Sequence, residues 1–122
     1  MARYISSCKS AAPLETIRHL IADVLQTCDF NVIYEKGDYF FAKEVPGRVN
    51  FSKLVSVEVV IDKHSQRPQI SETDISDGGK LEMSFVIKNE ELPLKIDNHC
   101  RRKFDLVNQA IAENAHFELT QA

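Results

Sequence analysis

Apolar and polar residues alternate most cleanly over residues 54–62, where Val55, Val57, Val59 and Ile61 share one parity and Leu54, Ser56, Glu58, Val60 and Asp62 the other. Successive side chains of a strand point to opposite faces, so this is a half-buried strand with one wholly β-branched face. Residues 80–88 repeat the arrangement, with Leu81, Met83, Phe85 and Ile87 facing one way and Lys80, Glu82, Ser84, Val86 and Lys88 the other. The two segments are expected to form the middle of a sheet whose apolar face is covered by helices.

Two stretches carry the helical period. After Pro13, Leu14, Ile17, Ile21, Val24 and Cys28 recur three and four residues apart, with Leu20 and Leu25 widening the stripe and Arg18, His19, Asp23 and Gln26 on the solvent side. Pro13 suits the first turn, where its missing N–H has no intrahelical partner, and Glu15 lies near the positive end of the helix dipole. A second helix is predicted to begin near Asp97, whose carboxylate can accept from free backbone N–H groups. Cys100, Phe104, Val107 and Ile111 line its apolar side, with Leu106 and Ala110 beside them.

Residues 30–35 and 38–44 are rich in aromatic and β-branched residues and flank Lys36-Gly37, which predicts a hairpin. Pro46-Gly47 ends that pattern before the main strand, expected over about 52–63. Residues 4–8 carry little periodicity and offer only a short candidate strand. Residues 64–79 form a long polar connection with Pro68 and the acids Glu72, Asp74 and Asp77, within which 69–71 could add an edge pairing. The tail 116–122 keeps Phe117 and Leu119 without a period and is expected to pack locally or fray. This order predicts an α+β two-layer sandwich, with an antiparallel sheet of four to five strands and two helices on one face. Residues 1–122 are read as one such domain.

Composition narrows the class. With 43% hydrophobic residues, a chain of 122 residues can bury a core without disulfides or metals. The net charge of -3 is too balanced for a dedicated nucleic-acid binder, so nucleic acid is not an expected partner. Cys8, Cys28 and Cys100 are odd in number and widely spaced, which fits a reducing compartment rather than a disulfide framework. No apolar run reaches signal-peptide or membrane-span length, so a cytoplasmic protein without a membrane partner is expected. Asn50-Phe51-Ser52 matches the glycosylation pattern, which has no consequence in that compartment.

Few residues suggest a reaction. His19, His64, His99, His116 and the cysteines form no close ligand pair, so no metal or other cofactor is expected. The acidic connection lacks the ligand offsets of a calcium loop. Cys28 and Cys100 lie on apolar helical stripes and read as core. Cys100, between His99 and Arg101, has part of a nucleophile's setting, but its stripe favours burial. There is no Ser-His-Asp order, phosphate-binding loop or dinucleotide fingerprint, so no catalytic residue is assigned.

Two features remain. His99, Arg101, Arg102 and Lys103 cluster near a helix start, where positive charge opposes the dipole; they could hold a phosphate or a partner's carboxylates, or simply be screened by water, Asp97 and Asp105. The sheet face opposite the helices carries Leu54, Ser56, Glu58, Val60, Glu82, Ser84 and Val86, together with part of the aromatic hairpin, a mixed surface that suits either solvent or a protein interface, self-association included. The expected function is a small non-enzymatic protein-binding or adaptor module, with a homodimer among its forms. The alternative is a small-ligand-binding protein or small enzyme with a cavity between sheet and helices and Tyr34, Tyr39 or Glu58 as polar groups. Large inward residues are expected to fill that space. RNA contact by Arg101, Arg102 and Lys103 is a third reading, opposed by the acidic balance.

Overall fold

Val57 pairs with Ile87 and Val59 with Phe85, and all four side chains are buried on one face of an antiparallel sheet. The alternating patterns of the two best strands therefore meet in register, and each buried aliphatic side chain contributes about 1.5–3 kcal/mol over its exposed state. The computed structural model describes residues 1–47, 49–62, 80–90, 92 and 98–119. The elements are β1 (Ala2–Ser10), α1 (Leu14–Thr27), β2 (Phe30–Lys36), β3 (Tyr39–Glu44), β4 (Ser56–Asp62), β5 (Leu81–Asn89), α2 (His99–Glu113) and β6 (Glu118–Leu119).

Among the described residues the sheet has six strands in the order β2-β3-β4-β5-β1-β6, every pair antiparallel, so β4 and β5 hold the centre as their patterns predict. Six replaces the expected four to five for two reasons. The weak segment at 4–8 belongs to a nine-residue strand paired along its whole length with β5, and the tail adds β6 against Cys8 and Lys9. The inward parity of β1 is Ala2, Tyr4, Ser6, Cys8 and Ser10, too polar to show as a stripe. Its serines are nevertheless buried. Ser6 donates to Asn108 Oδ1 on α2, and the Ser10 hydroxyl accepts from the Ala12 N–H at 3.1 Å, which removes the cost of hiding them.

The helices form where the periodicity places them. Ile17, Ile21, Val24 and Leu25 of α1 join Cys100, Phe104, Val107 and Ile111 of α2 and the buried parity of the strands in one hydrophobic core. Leu106 does not join them and is 47% exposed. Pro13 caps α1 rather than entering it: its backbone is extended and its carbonyl accepts from Ile17 N–H at 2.9 Å. Asn98 caps α2, its side chain accepting from the Arg101 N–H at 2.8 Å; Asp97 lies outside the described residues. Residues 63–79, with the acidic connection and the suggested pairing at 69–71, also lie outside them.

In the hairpin, Gly37 takes φ +53° between Lys36 and Tyr39, a left-handed conformation with little cost for glycine. The main strand starts later than expected, at Ser56, because Phe51–Lys53 form a single 3-10 turn. No helix among the described residues is long and apolar enough to cross a membrane.

Candidate functional site

The four basic residues expected to act together at the start of α2 are separated by the fold. Lys103 is turned into the core with 7% of its side chain exposed, where its ammonium donates to Cys28 O at 2.9 Å, lies 3.7 Å from Glu44 Oε2 and sits 5.4 Å over the Phe30 ring. His99 Nε2 lies 2.9 Å from both oxygens of Glu44, whose side chain is 1% exposed and also accepts from the Val55 N–H at 3.0 Å. Glu44 thus ties β3, the start of β4 and α2 together. Arg101 is half-buried, stacked 5.5 Å from the Tyr4 ring and 5.2 Å from the Phe104 ring and paired with Asp105 at 3.2 Å. Arg102 alone of the four is exposed. A shared anion site at these residues is therefore not what the side chains build. The charges near the helix start are held by packing and an internal carboxylate.

The sheet face opposite the core presents four rows of side chains across neighbouring strands. Register sets Asn31, Lys43, Ser56, Lys88 and Arg3 in the first row. Tyr34, Phe41, Glu58, Val86 and Ile5 form the second, and Lys36, Tyr39, Val60, Ser84 and Ser7 the third. Asp62, Glu82, Lys9 and Glu118 close the fourth. Of the residues expected on this face, Ser56, Glu58, Val60, Glu82, Ser84 and Val86 lie together in these rows, and half-buried Leu54 stands just before β4. Part of the aromatic hairpin is expected on this face, and Tyr34, Tyr39 and Phe41 do turn onto it; Ile5, from the strand without a clear pattern, joins them and makes the middle of the face largely apolar. Tyr34 is 50%, Val60 47% and Ile5 43% exposed, so no described element covers them.

Glu58 is the polar centre of that surface. Lys88 Nζ donates to its Oε1 at 2.7 Å and the Tyr39 hydroxyl to its Oε2 at 3.0 Å, while Tyr34 packs against Tyr39 in a tilted pair with ring centroids 6.0 Å apart. The Lys88 hydrogen bond, then that of Tyr39, holds the Glu58 carboxyl below the usual carboxylate range, and Arg3 adds to this. Partial burial, followed by the bond to Glu58, pushes the Tyr39 hydroxyl upward. The network fixes side chains that would otherwise sample many rotamers, so the face is stiffened before anything binds it.

At its basic end the face runs into an open recess of about 310 Å³, lined by Lys43, Ser56 and Lys88 with Phe51 and Leu54 as an apolar wall. The space between sheet and helices, where an alternative cavity was expected, is instead occupied by fully buried Phe30, Phe40, Phe85, Leu25 and Ile111. Cys8, Cys28 and Cys100 are buried thiols outside any disulfide, and burial pushes the Cys8 thiol up to about 12 and that of Cys28 upward as well. Among the described residues no three His, Cys, Asp or Glu side chains converge as a metal site.

No family model and no curated protein matches the chain. Among solved structures it is similar to the crystal structure of TTHA0849 from Thermus thermophilus, with 13% identity over 89% of this chain and 93% of that one and a TM-score of 0.39. A likeness that distant carries no argument, so the functional reading rests on the open face itself.

Proposed function

We propose that this chain is a small non-enzymatic protein-binding module of the cytoplasm, arranged as a two-layer sandwich whose uncovered layer is the docking surface. The observation that carries the reading is the row Tyr34, Phe41, Glu58, Val86 and Ile5, which crosses five strands with aromatic and aliphatic side chains around one neutralised carboxylate. Aromatic side chains on a rigid surface are the usual anchors of protein interfaces, and charges there cost least when already paired. Buried thiols outside any disulfide suit a reducing compartment.

Site-specific photo-cross-linking in the native cell tests this. A benzophenone amino acid at Phe41 is expected to give discrete protein adducts, and the same group at Gln109, exposed on α2, is not. Absence of adducts at Phe41, or the same adducts from both positions, would overturn the reading.

A further inference from the structure

The rows of the open face change sign along the strands. The first row holds Lys43, Lys88 and Arg3 with no acid, whereas at the opposite end Asp62, Glu82 and Glu118, with Asp38 beside them in the hairpin turn, outnumber Lys9, 3.8 Å from Glu82, and Lys80, 2.7 Å from Glu118. We propose that the occupant of this face is a second copy of the chain, stacked sheet on sheet about a two-fold axis lying in the interface perpendicular to the strands. This rests on the open face being the docking surface.

Charge selects that axis. A perpendicular two-fold reverses the strand direction of the second copy, so each basic row lies over the other copy's acidic row, and the contact is made twice. A two-fold along the strands would instead set basic row on basic row and acidic row on acidic row, which is repulsive at both ends. In the selected arrangement Lys43 of one copy comes toward Asp62 and Asp38 of the other, which is the new charge contact, since Lys88 and Glu82 meet already held by Glu58 and Lys9. The apolar second and third rows meet at the centre, at the spacing of about 10 Å usual for stacked sheets.

The size is sufficient for a reversible dimer. Five strands about 4.8 Å apart and four rows spanning about 20 Å give a footprint near 480 Å² per copy, or about 1,000 Å² for both. That is the lower limit for a specific interface, so a weak, reversible association is expected. Glu58 enters the interface already paired with Lys88 and Tyr39, so no lone charge is buried. Edge-to-edge pairing is the weaker route, because β2 is bulged between Val32 and Tyr34, with Ile33 the extra residue.

Sedimentation equilibrium of the whole chain, from about 1 µM to about 1 mM, decides the matter. A monomer–dimer equilibrium that weakens with salt is expected, and Lys43→Glu or Asp62→Lys alone should raise the dissociation constant about tenfold or more because each contact occurs twice. The combined Lys43→Glu, Asp62→Lys variant should return to within a few-fold of the native value. Both positions are exposed, and melting curves check that the variants fold. Sedimentation as a monomer at every concentration overturns the inference, and a combined variant no tighter than the single ones overturns the stacking direction. If the chain is monomeric yet Phe41 cross-links to another protein, the second copy is wrong and the docking surface stands; if Phe41 cross-links to nothing, the docking surface itself is wrong.

Discussion

Glu44 and Lys103 should be coupled far more strongly than a surface ion pair, and a double-mutant cycle measures this. At 3.7 Å and an effective dielectric of about 20, the two charges attract by about 4 kcal/mol, which offsets the cost of taking both out of water. Glu44→Gln keeps an oxygen for the Val55 N–H but leaves Lys103 without its counter-charge. The expected loss is about 3 kcal/mol. Lys103→Met fills similar volume but gives up the bond to Cys28 O and takes a positive charge from Glu44, which keeps His99 and the Val55 N–H, for a loss of about 2–3 kcal/mol. The double variant removes both charges and should lose only about 2–3 kcal/mol, so the single effects overshoot the double by about 2–3 kcal/mol. Urea unfolding at pH 7 with matched slopes is the assay. Additive losses, or single variants each below about 1 kcal/mol, would refute the view that this buried pair anchors α2 to the sheet.

Three further outcomes are expected. Cys8, Cys28 and Cys100 should label with a thiol reagent only on unfolding; reaction of native protein at the denatured rate would contradict their burial. Glu58 has a folded pKa below its unfolded one, so its contribution to stability is present above the usual carboxylate range and is lost as pH falls through the folded value. Glu58→Gln should therefore flatten the acid limb of the stability curve, and an unchanged limb would argue against the Lys88 and Tyr39 bonds. Arg101→Ala should lose about 1 kcal/mol in the same urea assay, because its guanidinium packs on Tyr4 and Phe104, whereas Arg102→Ala should change stability by less than about 0.5 kcal/mol.

What could be read in the sequence was the part written in side-chain periodicity. Val55 to Ile61 and Leu81 to Ile87 alternate without interruption, and both helical stripes repeat through several turns, so the central strands and the covering helices were legible. β1 was not, because Ser6 and Ser10 occupy inward positions that only partners distant in sequence, or a local turn, make tolerable. Lys103 was misplaced by attention to the run of basic residues. Its offset of three from Cys100 and four from Val107 already put it on the buried stripe, and Glu44 shares the inward parity of Phe40 and Ala42. Half of the open face was visible in the two best strands. That the hairpin turns aromatic side chains onto it was legible too, but their alignment with Glu58, Val86 and Ile5 depended on register and strand order, which local patterning does not encode.

The role of the open face is tested most directly by methyl NMR with a soluble paramagnetic probe, comparing the free chain with the chain under associating conditions. The methyl groups of Ile5, Val60 and Val86 are expected to be reached by the probe in the free chain and shielded on association, while those of Leu106, exposed on α2, stay accessible throughout. Shielding of Leu106 with Val60 and Val86 still accessible, or no shielding anywhere, would contradict the assignment of this face as the docking surface.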